Sequence, residues 1–259
     1  MEIIDRAIAY ARRIGDRQWE TSFLAGGVGS LEMLGRWDEA LRRNEEADSQ
    51  APTTFVRGLM MWAVIIHLHR GEIDSARALL ERNAEVERSE NPEFACAYAL
   101  VSAQITCAEG RHERAVEQVV RALGEFHREA ATWLPFMGLE VGADIRDERL
   151  VRELIGAVVE EELSRGCRAQ LARLRARLPE YEAADELLEA ERLFLELEAP
   201  FYVACVRTER AEHMLATGRR DEAEPLLAVS RAVFERLRAT PWLARVDAAG
   251  GVAASAASA

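Results

Sequence analysis

The sequence predicts an all-α fold, an array of antiparallel helix pairs. Three observations carry that prediction. A six-residue pattern opening on Gly, with an acidic residue in fourth place and Ala in sixth, recurs in one register. Each copy lies between two stretches with apolar residues at helical spacing. Strand signals are nearly absent, since the one β-branched cluster, Val64-Ile65-Ile66, sits inside a helical pattern.

The clear copies are Gly35-Arg36-Trp37-Asp38-Glu39-Ala40, Gly71-Glu72-Ile73-Asp74-Ser75-Ala76, Gly110-Arg111-His112-Glu113-Arg114-Ala115 and Gly218-Arg219-Arg220-Asp221-Glu222-Ala223. Their glycines are separated by 36, 39 and 108 residues. The last gap is three times the first, so two degenerate copies are expected inside it. One fits Leu178-Pro179-Glu180-Tyr181-Glu182-Ala183-Ala184, and the other falls at 142–149. In each copy the Gly can take the left-handed conformation that ends a helix. The acidic residue then sits in the next helix's first turn, where the dipole favours it. The Ala is small enough for two helices to approach closely.

The elements follow in order. Residues 2–14 form one helix with no preceding partner, so the array starts in mid-repeat. Phe23, Leu24, Leu31 and Leu34 lead into the first turn, Leu41 and Ala47 follow it, and Pro52 closes the unit. Leu59, Ala63, Ile66 and Arg70 lead into the second turn, and Ala76, Leu79, Leu80 and Val86 follow. The third and fourth clear copies and the two degenerate ones complete about six helix pairs. A single domain is expected over residues 1–247, with a flexible Ala/Gly/Ser tail over 248–259.

This register resembles the tetratricopeptide repeat, which places Gly before the turn, Ala five later and Pro at the end. The resemblance runs from Asp5 to about Val246, with repeats longer than the usual 34 residues and the early Trp missing from most copies. It implies a right-handed superhelical α-solenoid with a concave recognition groove. The segments Ala9-Tyr10-Ala11-Arg12-Arg13-Ile14-Gly15-Asp16-Arg17, Ala169-Gln170-Leu171-Ala172-Arg173-Leu174-Arg175-Ala176-Arg177 and Ala232-Val233-Phe234-Glu235-Arg236-Leu237-Arg238-Ala239-Thr240-Pro241-Trp242-Leu243 are similar to the C-terminal repeat region of bacterial, especially actinobacterial, signalling ATPases, adenylate cyclases and LuxR-type regulators. In those proteins the repeats follow a nucleotide-binding switch. The resemblance implies a regulatory module of a longer ancestor.

Composition excludes several chemistries. All 33 basic residues are Arg. Without Lys there is no Schiff-base chemistry, no Gly-x-x-x-x-Gly-Lys-Ser/Thr phosphate loop and no kinase strand lysine. The lysine clamp by which some tetratricopeptide arrays hold a C-terminal carboxylate is also ruled out. The net charge of −12 opposes direct binding to nucleic acid or to an anionic membrane. The longest apolar run, Leu59–Ile66, is eight residues, and no signal peptide opens the chain, so a cytoplasmic location is expected. Cys96, Cys107, Cys167 and Cys205 show no Cys-x-x-Cys spacing and read as core thiols.

Candidate chemistry is sparse, and no cofactor is expected. Leu24-Ala25-Gly26-Gly27-Val28-Gly29-Ser30 has no strand before it and reads as small residues at a close helix contact. His67 and His69 diverge by about 200° on a helix, His112 lies in a repeat turn, and His127 and His213 stand alone, so no metal site is expected. Glu45 with Glu46, and Glu160 with Glu161 and Glu162, read as solvated faces. No catalytic constellation emerges; a pocket with a buried carboxylate pair, or a His beside a carboxylate, would reopen an enzymatic reading.

Two recognition surfaces remain. Met61, Ile65, Leu68 and Gln104 are the candidate groove, with Phe55, Met60 and Trp62 beside them. Residues 164–178 carry five arginines and no acid, and Arg168, Arg173, Arg175 and Arg177 form a candidate anion contact. The competing expectation is that they pair with the helix at 180–198, which has eight acids and one Arg. Expected partners are a protein or peptide in the groove, a small-molecule inducer, or a second copy through an apolar end face of Ile3, Ile4, Ile8 and Ile14.

Overall fold

The structure is a computed structural model describing residues 1–50, 52–125, 133–160 and 163–256. Among the described residues it is helical throughout, with no strand. In chain order the helices are α1 (Glu2–Ile14), α2 (Arg17–Met33), α3 (Trp37–Asp48), α4 (Thr54–Leu59), α5 (Met61–His69), α6 (Ile73–Arg82), α7 (Pro92–Ala108) and α8 (His112–Glu125). They continue as α9 (Leu134–Glu140), α10 (Glu148–Gly156), α11 (Arg165–Arg175), α12 (Ala183–Glu196), α13 (Pro200–Ala216), α14 (Arg220–Leu237) and α15 (Thr240–Ala256). The start of the tail expected from residue 248 is therefore helix as far as Ala256, as its Ala content favours.

The turns have a common construction. Gly35, Gly71, Gly110 and Gly218 all have φ between 65° and 80°. At each, the Gly amide donates three residues back and the next amide donates five back, as in Arg36 N–H to the Leu31 carbonyl at 2.8 Å. That double closure satisfies carbonyls that the helix end would leave open. Gly15 closes α1 in the same way. Two further turns use the same bonds without Gly: Glu198 at φ 52° and Arg238 at φ 60°. The glycine pattern gave no hint of them. The two degenerate positions also fall between helices, one in a 3-10 turn at Val141–Asp144 ahead of α10 and one between α11 and α12.

Consecutive helices pack as neighbours: α2 on α3, α5 on α6, α7 on α8, α11 on α12 and α13 on α14. Ala40, Ala76, Ala115 and Ala223 are fully buried, as close helix contact requires. Gly29 lies inside α2, where a Cβ would come within 2.8 Å of the Trp62 indole.

Most of the core is one continuous apolar cluster running from Val28 in α2 to Ala249 in α15. A smaller cluster of Leu24, Ala25, Ala47, Val56 and Met60 receives α1 through Ile8, with Ile4 packed beside it. The four isoleucines of α1 therefore do not share a face. Ile4 and Ile8, four apart, turn inward, while Ile3 and Ile14 are exposed with Tyr10.

The chain also meets itself over long separations. The turn at Gly35 abuts Pro200 at the start of α13, and the turn at Gly71 abuts Pro241 at the start of α15. Arg70 donates to the Leu237 carbonyl at 3.2 Å and to Asp38 at 2.7 Å, and Arg238 reaches the same Asp38. Residues 32–71 are thus docked on residues 200–242.

Candidate functional site

Where these distant segments meet, polar groups are buried among aromatic rings. Trp37 at the start of α3 stacks on His69 at 5.5 Å and meets Phe201 edge-on at 4.9 Å. Tyr202 lies at 5.1 Å from Phe136, Phe194 and Phe201. Each such ring contributes about 1.5–3 kcal/mol by leaving water. The same desolvation makes any polar group among them costly unless it is paired.

The first half of this seam joins α2, α5 and α13. Tyr202 donates its hydroxyl to Glu32 Oε1 at 3.1 Å, and His69 Nε2 lies 3.3 Å from the same hydroxyl and 3.7 Å from Glu32 Oε1. Glu32 has 0% exposure, and its Oε2 has no hydrogen-bond partner. Burial, reinforced by the charge of Glu140, pushes its carboxyl up to about 8 against the single Tyr202 hydrogen bond. Burial and the charge of Arg173 push His69 down to about 3, so its ring is neutral.

The second half joins α9, α11 and α13. Gln170 donates to Glu140 and accepts from Arg173 Nη1 at 2.6 Å. Arg173, 2% exposed, grips Glu209 with two parallel hydrogen bonds of 2.9 Å. Arg177 adds a third bond to Glu209 at 2.9 Å and donates to the carbonyls of Gly142, Ala143 and Ile145. Burial would raise Glu209, but the charges of Arg173 and Arg177 overcome it and hold the carboxyl near about 2. Glu140 has no direct guanidinium, so burial wins over the charge of Arg173 and lifts it to about 7.

Two cavities flank this seam. One, of about 180 Å³, is lined by Leu68, His69, Gln104, Cys107, Glu140 and Trp242 among others. The other, of about 310 Å³, lies among α11, α13 and α15 and is lined by Arg146, Arg173, Arg177, Arg245, Glu209 and Glu212, with His213 on its wall. Trp242 links them: it lines the first and lies under the guanidinium groups of Arg173 at 5.8 Å and Arg245 at 4.6 Å.

The expected groove divides. Met61 and Ile65 are core, at 0% and 1% exposure, because α5 is covered by α2, α7 and α15. Leu68 and Gln104 reach the smaller cavity, and Gln104 donates to the Met137 carbonyl at 2.9 Å. The candidate anion contact divides too. Arg173 and Arg177, four apart, face inward to the larger cavity. Arg168 is exposed, and Arg175 pairs with Glu160 and lies over Tyr181 at 5.2 Å. Among the described residues the ion pair of this segment with α12 is Arg165 with Glu196 at 3.8 Å, and Arg175 also feels the charge of Glu186. The stronger partner, Glu209, is on α13.

Reading the residues in order missed Glu32, Glu140, Glu209 and Arg245. The signal was present in the helical register. Glu32 stands four after Val28, Glu140 three after Met137, and Glu209 four after Cys205, so each places a carboxylate on an apolar stripe.

One feature that would reopen an enzymatic reading occurs, a His beside a carboxylate, with His69 Nε2 3.7 Å from Glu32 Oε1. In the smaller cavity Glu140 is poised near neutrality for proton transfer, but its neighbours there do not complement it. His69 is too weak a base at about 3, and burial pushes the Cys107 thiol up to about 12 while it donates to the Val141 carbonyl. Among the described residues no group of His, Cys, Asp and Glu is arranged to hold a metal ion, and no helix is long and apolar enough to cross a membrane. His127, Glu161 and Glu162 lie outside the described residues. No protein-family model, curated protein or solved structure matches the chain.

Proposed function

We propose that this chain is a non-catalytic regulatory sensor module of a bacterial, cytoplasmic signalling or transcription-regulatory system. It is read as about six tetratricopeptide-like helix pairs in a right-handed superhelix. Its role is to bind a protein, a peptide or a small inducer and to convert that binding into a change of helix packing. The repeated Gly turns and their buried Ala residues support the repeat reading.

One observation carries the sensor reading. Segments more than 130 residues apart are held together through Glu32, His69 and Tyr202, a contact with an unpaired buried carboxylate oxygen. A closure that stores such a cost is a natural two-state element, because its polar groups gain partners or water when it opens. A ligand that prefers one state shifts the balance by its differential affinity.

Hydrogen exchange on Arg70→Gln tests this. The variant cuts the links from α5 to Asp38 and to the Leu237 carbonyl. Exchange should quicken in α5 and at the start of α15 while α7 and α8 keep their protection. A uniform rise along the whole chain would show one cooperative block and defeat the sensor reading.

The inducer form of this reading has specific support in the larger cavity, which presents several guanidinium groups in a concave site.

A further inference from the structure

We infer that the cavity among α11, α13 and α15 is a binding site for a compact organic dianion, a phosphate monoester or a dicarboxylate, held by Arg146 with the charges of Arg177 and Arg245 behind it. The inference deepens the sensor reading but rests on it only for the consequence of binding, not for binding itself.

Four arginines line the cavity against two glutamates, in a chain whose net charge is −12. A local excess of two guanidinium charges is the reverse of what the composition would place there by chance. Concentrating like charges in a partly desolvated site is unfavourable unless a counter-charge joins them.

The hydrogen bonding adds a second, independent observation. Arg173 is committed to Glu209 and Gln170. Arg245 is held by Glu212 through Nε and Nη2 at 2.6 and 2.7 Å. Its Nη1 is buried without a hydrogen-bond partner, and the nearest carboxylate oxygen, Glu209 Oε1, is 3.8 Å away. Arg146 has a side chain 68% exposed, and it touches Glu212 only at 3.8 Å. Arg146, with an exposed side chain and no hydrogen bond, therefore borders the cavity, and Arg245, which also lines it, keeps one unused donor buried behind its surface. Burial lowers Arg177 from its ordinary value, and Arg173, Arg245 and Arg146 lower it further against the pull of Glu209. An added anion would relieve that repulsion.

Size and shape narrow the class. A volume of about 310 Å³ is at the small end of ligand cavities, so the ligand is compact. Guanidinium forks match the paired oxygens of phosphate and carboxylate. Two excess positive charges match a dianion better than a monoanion.

Titration calorimetry on the full chain tests this, with inorganic phosphate and succinate as separate probes and acetate at matched ionic strength as the monoanion control. Heat of binding is the readout because phosphate raises melting temperatures by general exclusion. Saturable binding of phosphate alone assigns the phosphate-monoester class, of succinate alone the dicarboxylate class, and of both a compact dianion site. Arg146→Gln should weaken binding about tenfold and Arg146→Glu should abolish it; Arg146 is exposed enough for both to fold, which circular dichroism checks. No saturable heat from either probe, equal binding of acetate, or unchanged affinity in the Arg146 variants would overturn the inference. The exchange experiment on Arg70→Gln is independent of these outcomes, so failure of the anion site leaves the sensor reading to stand or fall separately.

Discussion

Gly35 and Gly71 share a backbone geometry with Gly110 and Gly218 but not their surroundings. All four hold φ between 65° and 80°. At Gly35 an added Cβ would come within 2.9 Å of Pro200, and at Gly71 within 3.1 Å of Pro241. At Gly110 and Gly218 it would meet nothing within 4 Å. One sequence pattern thus serves two purposes. At the outer turns glycine answers a local need, a left-handed residue that ends a helix. At the docked turns it also lets the chain close on itself. The polar groups follow the same division: beside the docked turns they are buried and hydrogen-bonded across long separations, whereas Arg192 pairs with Glu189 and Glu196 on an open surface.

The largest effect is expected inside the seam. Arg173→Met leaves Glu209 buried with a weakened counter-charge and should cost about 3–5 kcal/mol, measured by urea unfolding. A loss below about 1 kcal/mol would mean that Arg177 and Arg245 carry the site alone. Next comes the glycine comparison itself. Gly110→Ala should cost about 1–2 kcal/mol for the left-handed residue, and Gly35→Ala about 1–3 kcal/mol more because Pro200 must move. Equal costs would show that the closure at Pro200 is loose in solution.

The pH dependence comes third. The carboxyls of Glu32 and Glu140 are raised, so the folded state binds their protons more tightly than the unfolded state. Their contribution to stability is full below about pH 4.5 and is lost as pH rises to about 8 and about 7. The lowered groups act in the opposite sense. His69 contributes above about 6.5 and loses that contribution as pH falls toward about 3, and Glu209 loses its own between about 4.5 and about 2. Stability should therefore be greatest in mildly acidic solution. Glu32→Gln should flatten the alkaline side, with a melting temperature a few degrees above the parent at pH 8 and a smaller difference at pH 5. A gap that does not change with pH would assign the effect to packing.

A smaller gain is expected from Glu198→Gly, where an exposed residue at φ 52° gives way to one that adopts this conformation freely, worth about 1 kcal/mol. Arg192→Ala should leave unfolding unchanged, since exposed ion pairs of this kind are screened by solvent.

Much of this was legible from residues in order. The helical class, the four glycine turns, the buried alanines and the close contact at Gly29 all follow from local spacing. The turns at Glu198 and Arg238 were not legible, because the closing hydrogen bonds are made by backbone and accept a non-glycine residue at modest cost. The groove at Met61 and Ile65 was misplaced for a different reason. An amphipathic pattern says that a face is apolar but not which neighbour covers it, and here the covering helices include α15, far along the chain. The spacing of Arg168, Arg173, Arg175 and Arg177 suggests an anion contact or pairing with the next helix; which of them turn inward was not legible, and Arg173 and Arg177 meet Glu209 on α13.

The division between the two kinds of information is physical. Helix formation and termination depend on groups within about five residues of one another, so the sequence by itself determined the helical class and the turns that glycine marks. It also determined that every cation would be Arg. Which carboxylates are buried, which guanidinium is left with an unused donor, and which turns abut Pro200 and Pro241 depend on contacts across more than a hundred residues. Those were decided only by the tertiary structure, because desolvation acts on whatever side chains the closure brings together.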